Sequence, residues 1–113
     1  MKQLLLCCLI LFTLSACKKV DVPDGTPSCI KQMIRKMERE GSHKKGTVEK
    51  LMVNGVVYYV FPAPSQSRDA FDEMYNEYCE YVCAPSGGIT GKGSSDCPDL
   101  QGAIITSIYK FSE

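Results

Sequence analysis

The chain has 113 residues, with 13 basic and 13 acidic side chains and a formal net charge of zero. That balance offers no electrostatic footprint for nucleic acid, and the length fits one small domain. Beyond the N-terminus, no stretch is apolar for long enough to span a membrane as a helix.

The chain opens with Lys2 as a positive n-region and an apolar run from Leu4 to Leu14. Leu14-Ser15-Ala16-Cys17 follows, with small residues directly before the cysteine, as a cleavage site requires. Residues 1–16 therefore read as a signal peptide. Leu-Ser-Ala-Cys resembles the lipobox of bacterial lipoproteins, and the resemblance implies cleavage before Cys17 and lipidation of its thiol and new amine. Cys7 and Cys8 leave with the signal. The membrane partner is then reached through lipid on Cys17. Residues 17–27, with two prolines, a glycine and few apolar groups, read as a tether. Residues 28–113 make the domain.

Ser28 to Glu40 is expected to be a helix, with Ser28 as N-cap and Gly41 just past its end. Ile30, Met33, Ile34 and Met37 form one apolar stripe, and Lys31, Arg35, Lys36 and Arg39 cover the rest. The following turn holds His43, the only histidine, which is expected at the surface. Thr47 to Pro62 reads as a hairpin around Asn54-Gly55, the favoured dipeptide of a type I′ turn. That turn pairs Val53 with Val56, Met52 with Val57 and Leu51 with Tyr58. Val56 to Phe61 is β-branched or aromatic throughout, so it is expected to be a central strand.

Phe71, Met74, Tyr75 and Tyr78 fall at helical spacing, and a short second helix is expected from about Arg68 to Tyr78. Glu80 to Ala84 reads as a short strand. Ala103 to Phe111, rich in β-branched and aromatic residues, reads as the closing strand.

Between these strands, Cys83 to Pro98 carries Gly87, Gly88, Gly91 and Gly93 and little that is apolar except Ile89. Such a segment has no core of its own. Four cysteines remain in an exported domain of this size, which reads as two disulfides. Three pairings are possible on paper. Cys83 with Cys97 is expected because it clamps the glycine-rich loop, leaving Cys29 with Cys79.

The lipobox, Pro27-Ser28-Cys29-Ile30, the Asn54-Gly55 hairpin with Val57-Tyr58-Tyr59, and Met74-Tyr75 occur in a recognisable order. With Cys83-Ala84-Pro85-x-Gly87-Gly88-Ile89-Thr90-Gly91-Lys92-Gly93 and Cys97-Pro98-Asp99, they resemble a family of small Bacteroidota lipoproteins classed as a domain of unknown function. The likeness covers about Ser28 to Leu100. It implies an envelope location and supplies no catalytic residue. The chain departs from the family's pattern at two places. Ser67-Arg68 stand where vicinal cysteines are usual, and Cys79 stands where a turn glycine is usual.

A nucleotide is excluded as a ligand. Gly87 to Ser94 lacks the Walker spacing, and Gly93 rather than Ser or Thr follows Lys92. Calcium is the weak cofactor candidate, with Asp96 and Asp99 among the oxygen donors of the loop, although the EF-hand pattern is absent. The first expectation is thus a small α+β domain, its N-terminal helix packed on an antiparallel sheet with a disulfide-closed glycine-rich loop. It would act as a non-catalytic, lipid-anchored binding or accessory module at the outer membrane. Gly87, Gly88, Thr90, Gly91, Lys92 and Gly93 would face an envelope protein partner. The alternative is a calcium-dependent binder or enzyme using Asp96 and Asp99.

Overall fold

The computed structural model describes residues 20–65, 70–87, 92–94 and 96–112. Cys17 lies outside the described residues, as do Gly88, Thr90 and Gly91. One helix, α1 (Ser28–Glu40), precedes five strands: β1 (Thr47–Val53), β2 (Val56–Phe61), β3 (Glu73–Asn76), β4 (Tyr81–Cys83) and β5 (Ile104–Lys110). The strands form one sheet in the order β4-β3-β2-β1-β5, every neighbour antiparallel. The domain is α+β, as expected.

Helix α1 begins one residue earlier in its cap than the sequence suggests. Pro27 occupies the cap position with an extended backbone, and its carbonyl accepts the first helical bond from the Lys31 N–H. Ser28 is already helical, and no side chain caps the helix. A proline ring fixes φ and has no N–H to satisfy, so it starts the helix without a polar side chain. At the far end Gly41 turns left-handed, at φ 69°, and returns its N–H to the Met37 carbonyl. The apolar stripe does what its spacing requires. Ile30 and Ile34 are fully buried, and Met33 and Met37 pack at their margin.

The β1–β2 hairpin has the expected register, with Val53 opposite Val56 and Leu51 opposite Tyr58. Asn54 and Gly55 both take positive φ, as a type I′ turn demands. Residues opposite one another share a face of the sheet. Val48, Tyr59, Phe61 and Tyr75 therefore lie on the helix side, and Leu51, Val53, Met74 and Cys83 on the far side. Both sets are largely buried, so β2 is central with two covered faces. Opposite β1, the register slips by one residue in β5. Val48 pairs with Tyr109, but Glu49 pairs with Ser107. The extra residue lets Ile108 as well as Tyr109 reach the helix-side core.

The expected second helix is absent. Within its described part, 70–78, Glu73–Asn76 is β3, paired with β2 from Tyr58–Asn76 to Phe61–Glu73. Here the strand period overrides the helical one. Met74 is fully buried on the far face, while Tyr75 meets Phe61 edge-on at 5.5 Å on the helix face. A central strand as apolar as β2 leaves costly unpaired backbone groups unless both its edges are paired. Asn76 then ends β3. Its side-chain oxygen accepts the N–H groups of Tyr78 and Glu80, at 2.9 and 3.0 Å, and closes the β3–β4 turn.

Strands β4 and β5 sit at opposite edges, so the chain between them must cross the sheet. The disulfide from Cys83, a far-face residue, to Cys97 pins that crossing to the face opposite the helix. The stretch read as a tether also differs from expectation. Val20 is buried in the helix-side core, and Val22 packs against it.

Candidate functional site

All four domain cysteines are paired, Cys29 with Cys79 and Cys83 with Cys97. The first bond joins the start of α1 to the β3–β4 turn, where Cys79 takes a left-handed φ of 64°. Cys79 is the last residue of a turn closed by its own N–H and the Asn76 carbonyl. Glycine is the usual occupant of such a position. Here a cysteine stands there, and its side chain is needed for the bond to α1.

The glycine-rich loop is folded onto its own base. The Ser94 N–H donates to the Ala84 carbonyl at 2.7 Å, the Ala84 N–H donates to Ser94 Oγ at 3.0 Å, and the Gly93 N–H donates to the Gly87 carbonyl. Gly87 bridges both Phe71 and Lys92. Gly93 is at φ 70°, and a Cβ there would lie 2.1 Å from the Ala84 carbonyl oxygen. A Cβ on Gly87, at φ 106°, would lie 2.6 Å from the Ala70 oxygen. Both glycines therefore serve close backbone packing inside the loop. Of the expected partner-facing residues that are described, Lys92 is the exposed one.

Asp72 holds this loop to the rest of the sheet, and the sequence reading assigned it no such role. One carboxylate oxygen accepts the Ala63 N–H at 2.8 Å and the other accepts the Ser86 hydroxyl at 2.7 Å, while the Asp72 N–H donates to the Ser86 carbonyl. The residues it joins are 9 and 14 positions away, so no local pattern announces the junction.

Other polar groups are similarly engaged. Glu38 on α1 accepts from the Tyr109 hydroxyl at 2.7 Å and from the Ser112 hydroxyl, tying the helix to the end of the chain. Burial and the Glu38 hydrogen bond push the Tyr109 hydroxyl up to about 12. Burial and the hydrogen bond to Glu73 likewise raise the Tyr75 hydroxyl. His43 is not at the surface. It is 8% exposed, stacks obliquely on Phe111 at 5.7 Å, and has Nδ1 2.9 Å from Ser42 Oγ. It lines a cleft of about 200 Å³ with Met37, Glu38 and Phe111.

The calcium candidates point elsewhere. Asp99 accepts the Gln101 N–H at 3.0 Å within its own turn. Asp96 is fully exposed, its carboxyl held below the usual range by Ser94 and its own backbone N–H. Among the described residues, no three His, Cys, Asp or Glu side chains gather as metal ligands.

Among the described residues, Phe71, Tyr78 and Tyr81 are exposed around β3 and β4, while Met52, Val56, Ile104 and Ile105 are exposed together at the end of β1, β2 and β5. A groove of about 280 Å³ beside them is walled by Pro23, Thr26, Lys50, Met52, Ile104 and Ile108.

Residues 35–107 match the family described as a domain of unknown function, DUF6970. The chain belongs to this family. The DUF6970 match begins inside α1 and ends inside β5, so it holds the Asp72 junction and the whole Cys83–Cys97 loop. Cys29 lies before the DUF6970 stretch, and its partner Cys79 lies within it. No curated protein and no solved structure matches the chain.

Proposed function

We propose that this DUF6970 protein is an exported lipoprotein, anchored through Cys17 at the outer membrane on its periplasmic or surface face. Its domain serves there as a non-catalytic binding or accessory module. The observation that carries the reading is the complete pairing of Cys29, Cys79, Cys83 and Cys97. Two disulfides in so small a domain fit an oxidising compartment outside the cytoplasm, which is where a Leu14-Ser15-Ala16-Cys17 lipobox would deliver it.

The binding reading is supported by how the reactive side chains are used. His43 packs on an aromatic ring, Asp72 and Glu38 join distant segments, and the cysteines are consumed as crosslinks. Acid–base or nucleophilic catalysis needs such groups converging on one space. The base of the disulfide-closed loop is instead held by backbone hydrogen bonds among Ala84, Gly87, Gly93 and Ser94, and pre-organisation of this kind lowers the entropic cost of binding an envelope protein.

The test is fractionation of cells making the wild-type chain or Cys17→Ser, with intact mass of the mature N-terminus. Wild type should sediment with membranes and carry acyl mass on Cys17, and the variant should be soluble. A variant that still sediments, or an unmodified Cys17, sinks the anchor. Crosslinked capture from envelopes, with Lys92→Glu as the comparison, tests the binding role. Equal recovery of the same partner by both proteins would move the contact away from the loop.

A further inference from the structure

The burial of Val20 limits how far a lipid on Cys17 can hold the domain from a membrane. Val20 is 5% exposed and shares a core cluster with Ile30, Ile34 and Ile108. Val22 packs against that cluster. Next, the Thr26 N–H and hydroxyl both donate to the Pro23 carbonyl and close a turn along the groove that Lys50, Met52 and Ile104 line. Ten residues of free tether would reach roughly 35 Å. The three steps from Cys17 to Val20 reach at most about 11 Å. That is comparable to the depth of a headgroup layer, so the domain has no room to stand off.

The surface near this attachment is suited to lipid. Register places Met52 opposite Ile104 and Leu51 opposite Ile105, with Val56 across from Val53 at the hairpin turn. Met52, Val56, Ile104 and Ile105 are exposed by 40, 48, 66 and 61%. They form an apolar rim on the end of the sheet beside which segment 23–26 runs. Lys50 and Asp24 line the groove beside it, and Lys18-Lys19 adjoin this segment in sequence.

We infer that the domain sits directly on the bilayer, with the apolar end of β1, β2 and β5 as its lipid-contacting face. This rests on lipidation of Cys17. The short connection holds the rim among headgroups at an effective concentration that a soluble partner does not match. Apolar side chains at that depth bury their surface in the headgroup–acyl boundary. The opposite end of the sheet, where β2 ends at Phe61 and β3 begins at Glu73, would then point away from the membrane.

The chain has no tryptophan, so an introduced one reports its own position. Ile104→Trp and Phe71→Trp would be made in the full lipidated protein. Phe71 is 45% exposed just before β3, at the opposite end of the sheet from Ile104. Both proteins go into vesicles of phosphatidylethanolamine and phosphatidylglycerol, with and without brominated acyl chains. The Ile104→Trp emission should shift to the blue and lose about half or more of its intensity to bromolipid, whereas Phe71→Trp should be unaffected. Mass and sedimentation are measured on the same samples. A lipidated, sedimenting Ile104→Trp protein that bromolipid does not quench overturns the seated domain and leaves the anchor standing. A protein without lipid overturns both. A concentration-dependent dimer that shields Ile104→Trp from iodide but not from dilution assigns the rim to a second copy and overturns the proposal.

Discussion

At the residue scale, two glycines with similar backbones should behave differently. Gly93 and Gly102 both take positive φ, but a Cβ on Gly93 meets three backbone atoms within 2.7 Å, whereas one on Gly102 meets nothing within 4 Å. Gly102→Ala should cost about 1 kcal/mol, the conformational term alone. Gly93→Ala adds overpacking against rigid backbone and should cost about 3 kcal/mol. Denaturant melts of the two variants check this, and equal losses would mean the loop is not packed on Ala84. The Tyr109 hydroxyl supplies a pH test. Its folded pKa is raised above its ordinary value to about 12, so the neutral form is favoured on folding. The stabilisation is fully present below pH about 10 and is lost as pH rises from there to about 12. Titration of tyrosinate absorbance should show this group ionising late, and Glu38→Gln should bring it down, because the carboxylate charge that opposes ionisation is gone. An unchanged profile in Glu38→Gln would refute that coupling.

At the scale of elements, the β3–β4 turn is the informative piece. Closing the loop between Cys29 and Cys79, with a sequence separation of 50, is worth about 4 kcal/mol on the entropic model. Cys29→Ala with Cys79→Ala should lose that amount and leave an alanine in a left-handed conformation. Cys29→Ala with Cys79→Gly should regain about 1 kcal/mol, because glycine takes φ 64° without a Cβ penalty. If the glycine variant is no more stable than the alanine variant, the turn has changed its conformation. This turn also shows where sequence patterns stop. Phe71, Met74, Tyr75 and Tyr78 have helical spacing, yet the segment becomes β3 because β2 offers an unpaired apolar edge. That edge is supplied by residues 56–61, outside any local window. The β1–β2 hairpin was legible to the register, because Asn54-Gly55 acts on its immediate neighbours alone.

At the scale of the molecule, a domain this small depends on its crosslinks. The Cys83–Cys97 loop adds about 3 kcal/mol to the 4 of the other bond. Together these approach the whole net stability of a typical domain. Reduced protein should therefore lose its native circular dichroism at ordinary temperature, and survival of the native spectrum would mean that the core suffices. Calcium and EDTA should leave the melting curve of the oxidised protein unchanged, since Asp99 is committed to Gln101 and Asp96 stands in solvent. A rise in Tm with calcium would reopen a site at those residues.

What the sequence determined by itself is whatever short-range chemistry decides. Helix α1 follows from its stripe and Gly41, the hairpin from its turn dipeptide, β5 from its composition, and the Cys83–Cys97 clamp from a loop with nothing to bury. Tertiary structure decided the rest, because each remaining feature needs a partner distant in the chain. Val20 becomes core only once α1 and β5 form a cavity for it, and His43 is buried only by Phe111. Asp72 becomes a junction only when the segments of Ala63 and Ser86 meet beside it. Such contacts pay chain entropy first and are favourable only in the assembled fold, so no local run of residues carries their signature.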